Sequence, residues 1–598
     1  MNTFAMQLFL ASTELCRGLP SESLAQLAQD AQLIELQNGE LLIKQGEVGD
    51  CLYLVIDGRL EAQLQTDDSP PRIVSLARIG PGESVGELAV LSNDTRACNV
   101  VAIRDTRVAK LMRDACLALV TKFPQAWFRI AQQIVRRSQE KSRPAAEHSQ
   151  IALIPTGTGA HLSAFAESLV DALSEFGPTA LVRENSLKAP AGSDSFIGDL
   201  TRRVQKHERS VQLGEGRSTR WDRRTVRQAD LILVVANLEE DPALSEFEST
   251  ALFNSRPMST AQVELVLLRP DRATPPKNTA RWLQSRRVHR HHHVALNSPA
   301  DVQRLARIIS GNAINLVFSG GGARGFAHIG VLRAMLEAGI PIDQVGGTSM
   351  GAGIAAFQAM GVPTERMLHG IQRHLGGIRD FTLPIWSIFA GRGWTRALQA
   401  VCGDILIEDL CIPFFAVSAD LQKAVEHVHR RGPLWRAIRA TTSIPGIYPP
   451  VLQEDSCLVD GGVLNNFPID VMAAMGAGRI VGVDVSQEFG LTFPTRHDVA
   501  VSGWRLLWRR LNPFRRTTHE PNIADLLVRS AEIAAVRIGR NSRENTKLAL
   551  HIVPPVTHFR TMEFSALDAI VEAGYRYAST HVEAWKQTLA GKSQRSLQ

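Results

Sequence analysis

Long apolar runs are missing from this 598-residue chain: nothing approaches the ~18 consecutive apolar residues that a membrane-spanning helix needs. The best N-terminal stretch, residues 6–11, is short and has no basic residue before it, so no signal peptide is expected. Cysteine is sparse. The seven (Cys16, Cys51, Cys98, Cys116, Cys402, Cys411, Cys457) are never spaced Cys-x-x-Cys, which excludes a disulfide framework or zinc ribbon and fits a reducing cytosol. Neither sign of charge dominates: 66 Lys and Arg against 60 Asp and Glu leave a net +6. That is too little to imply a nucleic-acid partner, although clustered charge would still attract an anionic membrane surface. Internal repeats are absent too. What remains is globular composition, 44% hydrophobic and 21% charged, enough for about three or four domains.

The first 140 or so residues read as closely spaced short strands with turn signals, a small β-roll or barrel. Asp57-Gly58 between two apolar stretches predicts a hairpin, and residues 67–71 and 80–82 predict further turns. Residues 114–140 look helical, and the charged stretch 136–147 reads as a linker. From Ile151 the pattern changes to buried-type strands at 151–154, 231–235 and 263–268 alternating with helices, which predicts a parallel α/β sheet. A third unit opens with a strand at 314–318 followed by a glycine-rich loop and a helix. The expected division is 1–143, 148–300, 312–560 and a C-terminal helix with a basic tail at 561–598.

Two segments of the third unit carry chemistry. Gly320-Gly321-Gly322-Ala323-Arg324-Gly325 formally fits the dinucleotide fingerprint, with Asp343 roughly 20 residues on. Against that stands Gly347-Thr348-Ser349-Met350-Gly351 after the next strand, the pattern of a nucleophile elbow. A serine nucleophile needs backbone donors for the oxyanion, and the preceding glycine loop offers them. It also needs a base, and Asp460, ending a short apolar strand before Gly461-Gly462, is well placed to face it. Each pattern alone has a bland reading, a glycine-rich strand–helix turn around a buried serine.

Together these blocks resemble the patatin-like phospholipase family, as do residues 439–450 and Leu464-Asn465-Asn466-Phe467-Pro468. The resemblance covers residues 312–560 and implies an α/β hydrolase domain with a Ser349–Asp460 dyad. It further implies an elbow flanked by Gly347 and Gly351, an oxyanion loop of Gly320, Gly321, Gly322, Arg324 and Gly325, and no catalytic cofactor or metal. A second resemblance, to the phosphate-binding cassette of cyclic-nucleotide-binding domains, rests on residues 82–91 and Arg96-Ala97-Cys98. It implies a site of Gly86, Glu87, Leu88, Ala89, Arg96 and Ala97 for cAMP or cGMP as a regulatory ligand. Amides near Gly86 would cradle the phosphate, Arg96 neutralise it and Glu87 accept from the ribose. Thr95 and Cys98 depart from the residues usual beside that arginine.

The whole chain thus resembles the bacterial relatives of neuropathy target esterase, and 290–293 ahead of the third unit fits that architecture. The implied activity is hydrolysis of phospholipid or lysophospholipid acyl esters by a cytoplasmic enzyme peripheral at the inner face of the membrane. The non-enzymatic alternative is a cyclic-nucleotide-responsive regulatory or docking protein. A DNA-binding regulator would need a helix-turn-helix after the roll, which the charged linker does not supply. Other readings remain subordinate. His551 stands in Ser…Asp…His order without a supporting pattern, and His289 and His291 to His293 read as a polar loop or strand end rather than a metal site. The loop Gly157-Thr158-Gly159 reads as a structural turn, since it lacks Gly-Lys-Ser/Thr. His328 reads as packing or polar support, and residues 504–516, rich in Trp, Leu and Arg, as a surface or membrane-interface helix.

Overall fold

The computed structural model describes residues 2–66, 73–87, 90, 94–125, 128–129, 131–132, 149–159, 161–186, 207–255, 257–375, 380–453, 455–476, 478–486 and 546–595. The linker at 136–147, the turn at 67–71 and the segment 504–516 lie outside them. The described chain divides into two compact units, essentially Met1–Ser310 and Gly311–Gln598.

In the first unit, two helices, Thr3–Ser12 and Ser21–Asp30, precede a roll of two antiparallel four-stranded sheets. One contains Gln32–Leu36, Thr106–Met112, Cys51–Asp57 and Ser84–Val85; the other contains Leu41–Ile43, Asn99–Ala102, Leu60–Gln65 and Ile73–Ile79. The expected hairpin at Asp57-Gly58 is corrected here: the strands on its two sides belong to different sheets. Arg107 pairs with the Asp57 carboxylate, and a Cβ at Gly58 would strike Asp105 and Thr106. The turn is therefore a corner pinned to the neighbouring strand.

The roll is followed by six parallel strands in the order Thr179–Val182, Arg209–Leu213, Gln150–Pro155, Leu231–Asn237, Gln262–Arg269 and Arg290–Ala295. The continuous apolar runs of the central strands Gln150–Pro155 and Leu231–Asn237 follow from burial on both faces. Ile151 and Leu153 feed one core with Phe165 and Leu305; Ala152 and Ile154 feed the other with Val226 and Trp282. Asp230 ties roll to sheet. Its buried carboxylate accepts from the Ser149 and Gln150 N–H groups (2.9 and 3.1 Å) and from Arg104 Nε (3.0 Å). Burial alone would raise its pKa, but the charges of Arg104 and Arg59 outweigh this and hold it well below the usual carboxylate range.

The second unit is a mixed sheet ordered Val451–Gln453, Ser456–Asp460, Phe414–Asp420, Gln344–Thr348, Ile314–Phe318, Arg479–Val483 and Leu550–Ile552. Its central strands are parallel, while Ser456–Asp460 runs antiparallel to Phe414–Asp420. The sequence reading set residues 561–598 apart, but the helix Leu567–Arg595 is integral to this unit. Leu567, Ile570, Val582 and Trp585 are in its core. A Cβ at Gly330 would meet the Tyr575 N at 2.5 Å, so a glycine there lets the helix Ala327–Glu337 press against the C-terminal one. Among the described residues, no helix is long and apolar enough to cross a membrane.

Candidate active site

The strand Gln344–Thr348 turns at Ser349 directly into the helix Met350–Ala359. Ser349 sits at φ 54°, ψ −126°, a conformation costing about 1–3 kcal/mol for a residue with a side chain. The turn is tight enough that a Cβ at Gly347 or Gly351 would lie 2.5 Å from the carbonyl oxygen of Phe318 or Ser319 respectively. The strained turn lifts Ser349 Oγ to the N-terminal end of its helix, where the backbone dipole favours developing negative charge. Across the gap, the strand Ser456–Asp460 ends with its carboxylate facing the serine. Ser349 Oγ donates to Asp460 Oδ2 at 2.6 Å, and Asp460 Oδ1 accepts from the Gly462 N–H at 2.8 Å. Both side chains are buried.

The glycine loop lies alongside, and its members do different things. The Gly320 N–H is donated to the Asn466 carbonyl (2.9 Å), while Asn466 Nδ2 donates back to the Gly320 carbonyl (3.2 Å). Gly320 is therefore a brace, which corrects its expected place among the oxyanion donors. Gly322 has φ +57°, and a Cβ there would run into the backbone of Thr561. Arg324 Nε donates to the Phe559 carbonyl at 2.8 Å, tying the loop down, and Gly325 abuts the Met350 side chain.

Ser349 forms part of the wall of an apolar cleft. Phe326, Phe357, Trp394, Leu398, Ile438 and Tyr448 supply much of the rest, a lining suited to a hydrocarbon chain rather than a sugar or nucleotide.

Asp343 is buried beneath the sheet, exchanging hydrogen bonds with the Ile314 backbone (2.9 Å each way) at the end opposite the glycine loop, so it cannot serve as a ribose ligand there. His551 stacks on Phe467 in a strand three positions along the sheet from the Ser349 strand. The histidine run forms an edge strand, Arg290–Ala295, with His292 paired to Glu264 (2.8 Å) and His293 bonded to Thr279 (3.3 Å). Among the described residues no group of three metal-ligating side chains occurs. At the Gly157–Gly159 turn, Thr158 Oγ1 bonds Glu240, whose carboxylate also accepts from Asn237 Nδ2 (2.9 Å). That carboxylate fills the crook where a phosphate would sit.

In the roll, Arg96 is buried, with its guanidinium donating to the carbonyls of Gly86 (2.9 Å) and Cys51 (2.7 Å). Glu87, which follows Gly86 in sequence, is buried and Ala97 is exposed; Leu88 and Ala89 lie outside the described residues.

Residues 316–473 match the patatin-like phospholipase family. The chain carries a patatin-like phospholipase domain. Residues 147–314 match the P-loop-like domain of the neuropathy target esterase family, and residues 33–123 the cyclic nucleotide-binding domain. Similar relatives include patatin-like phospholipase domain-containing protein 7 of Mus musculus, 32% identical over 92% of this chain and 45% of its own length. Patatin-like phospholipase domain-containing protein 6 of Homo sapiens is 31% identical over 92% of this chain and 44% of its own. Lysophospholipase NTE1 of Yarrowia lipolytica is 29% identical over 91% and 45% respectively. The chain thus spans less than half the length of these relatives.

Three further residues support the patatin-like site, and of these only His328 has a role expected from sequence. Thr441 Oγ1 accepts from the Ser349 N–H at 2.9 Å and donates to the Val417 carbonyl, so that amide is already committed. Asn466 clamps Gly320, as above. His328, fully buried, donates from Nε2 to the Ser319 carbonyl at 2.8 Å, at the root of the glycine loop. Thr441 and Asn466 lie in the two blocks that resemble the family, but nothing local announces their partners.

Burial pushes the His328 pKa down to about 4, only partly offset by its bond to Ser319. The unfolded chain therefore binds this proton more readily, and stability rises with pH between those values. The contribution is complete above about 6.5. It is lost as pH falls towards 4, a change of about 3 kcal/mol. Urea unfolding of the patatin-like domain, followed between those limits, should show this loss, and His328→Gln should flatten it. An unchanged slope in the variant would assign the acid sensitivity elsewhere.

Proposed function

We propose that the chain is a serine acyl hydrolase that cleaves fatty acyl esters of phospholipids or lysophospholipids through a Ser349–Asp460 dyad. The observation that carries this reading is the 2.6 Å hydrogen bond from Ser349 Oγ to Asp460 Oδ2 beside an apolar cleft. Ser349 Oγ attacks the acyl carbonyl carbon while its proton passes to Asp460 Oδ2. The oxyanion is met by the amides of Gly321 and Gly322 and the N-terminal end of the helix Met350–Ala359. Collapse breaks the ester bond, and the leaving glycerol oxygen takes the proton from Asp460. Water then attacks the acyl-serine, gives its proton to Asp460, and the fatty acid leaves as Ser349 regains its hydrogen.

The relative named as a lysophospholipase supports a lysophospholipid as the first substrate to try. Incubation of the full chain with lysophosphatidylcholine should release fatty acid and glycerophosphocholine in equal amounts. Release from neither this lipid nor phosphatidylcholine would overturn the reading. Such an enzyme would work from the cytoplasm at the inner face of a membrane.

The roll supports a regulatory reading beside the catalytic one. Arg96 contacts the Gly86 carbonyl within the stretch 33–123 that matches the cyclic nucleotide-binding domain, so cAMP or cGMP is the ligand to test. Calorimetry should detect saturable binding, and Arg96→Ala should weaken it at least about tenfold by removing a charge-assisted contact. Equal affinity in the variant would remove Arg96 from the site, and no binding in either protein would leave the roll as a docking module.

A further inference from the structure

One surface feature of the second unit is used by nothing above. Between the helices Thr364–Leu375 and Arg392–Cys402, residues 380–390 form a tight excursion closed at its base by the Ala390 N–H on the Asp380 carbonyl (2.7 Å). Within it the Thr382 N–H donates to the Ile388 carbonyl at 3.0 Å. The Asp380 carboxylate accepts from the Gly391 and Gly393 amides, 3.0 Å each, so the base is firmly built. At the tip the usual logic of a folded surface is inverted: Phe381, Leu383, Ile385 and Trp386 are 76%, 75%, 78% and 64% exposed. Four large apolar side chains crowded into six residues are not the scattered hydrophobes of an ordinary surface.

The returning arm shows what this tip adjoins. Ile388 and Phe389 bond through their N–H groups to Gly446 and Ile447 (2.9 and 3.0 Å), and the Phe389 ring lies 5.5 Å from that of Tyr448. Phe389 packs in one cluster with Tyr448, Trp394 and Met562, and these three also line the cleft beside Ser349. The exposed tip is thus continuous with the wall of the apolar cleft. Directly after it, Arg392 and Arg396 are exposed one helical turn apart, so the apolar tip is bordered by positive charge. An apolar wedge with a basic border is complementary to acyl chains beneath anionic headgroups.

We infer that residues 381–386 are a membrane-docking hairpin that inserts Phe381, Leu383, Ile385 and Trp386 into an anionic phospholipid surface and brings the cleft to its lipid substrate. The inference rests on the lipid-hydrolase reading for its purpose, but its physical content is separable. The test uses the full chain, wild type and the triple variant Leu383→Ser, Ile385→Ser, Trp386→Ser, which leaves Phe381 on its Phe389 partner. Two measurements are made: flotation with vesicles of phosphatidylcholine and phosphatidylglycerol, and hydrolysis of a short-chain water-soluble ester beside vesicle-embedded lysophosphatidylcholine. The variant should lose at least about tenfold in vesicle partitioning, and as much in turnover of the embedded lipid, with soluble-ester turnover unchanged. Wild-type binding should weaken with added salt.

Wild-type protein that fails to float, or a variant that floats like wild type, overturns the hairpin. So does a variant that floats normally but changes its sedimentation, which would make the tip a contact between copies of this chain. If the wild type floats and the variant does not, but neither hydrolyses any ester, the hairpin stands and the catalytic reading falls.

Discussion

Ser349→Ala is expected to reduce fatty-acid release by about 10⁴-fold or more while leaving the fold intact. The hydroxyl is the only part of this side chain that alanine lacks, and in the resting protein it reaches Asp460. The surrounding turn is held by other contacts: the Ser349 N–H on Thr441, and Gly347 and Gly351 against the Phe318 and Ser319 carbonyls. Alanine keeps the same backbone and fills the same volume less one oxygen. Stability should therefore move by no more than about 1–2 kcal/mol, the scale of one charge-assisted hydrogen bond. Circular dichroism and urea unfolding check the second half of this expectation, and a fixed-time assay of lysophosphatidylcholine hydrolysis checks the first. A variant retaining a tenth of the activity would show that another group attacks the ester.

Asp460→Asn is the second large effect, and it isolates the proton from the geometry. The amide is isosteric. Its oxygen can keep accepting from the Gly462 N–H, now 2.8 Å from Oδ1, so the short 3-10 turn Gly461–Val463 should survive. The atom facing Ser349 Oγ then becomes an NH₂ group, which donates where the carboxylate accepted. The serine proton has nowhere to go, and kcat should fall by about 10³–10⁴-fold with little change in KM. Because hydroxide can partly replace a missing base, the residual rate should climb with pH more steeply than that of the wild type. An asparagine variant within tenfold of wild type would require a different base. His551→Ala should be silent, since His551 sits in a strand three positions along the sheet from the elbow strand.

The legible parts of this chain are those where local geometry restricts residue choice. A strand-to-helix turn this sharp tolerates only glycine at 347 and 351, so the elbow was visible as a spacing. The alternating burial of Ile151, Ala152, Leu153 and Ile154 between two cores produces the unbroken apolar runs that announce a parallel sheet. That Ser349 meets Asp460, 111 residues away, is suggested by an aspartate ending a strand at a glycine turn and by resemblance to a family, because no periodicity encodes a contact of that range.

The misread parts have the same cause. Asp57-Gly58 has hairpin chemistry, but Arg107 and Thr106, some 50 residues on, make it a corner between sheets. Gly320 looked like its neighbours until Asn466 took its amide. The C-terminal helix read as an appendage because its apolar face has meaning only against Ala327 and Gly330.

The most direct test of the central claim is covalent. The full chain is treated with a fluorophosphonate, digested, and the modified peptide identified by mass spectrometry while residual lysophosphatidylcholine hydrolysis is followed in parallel. The account predicts an adduct on Ser349 whose extent tracks the loss of activity, and none in Ser349→Ala. Full modification of Ser349 with hydrolysis undiminished, or loss of activity with the adduct on another residue, would contradict it.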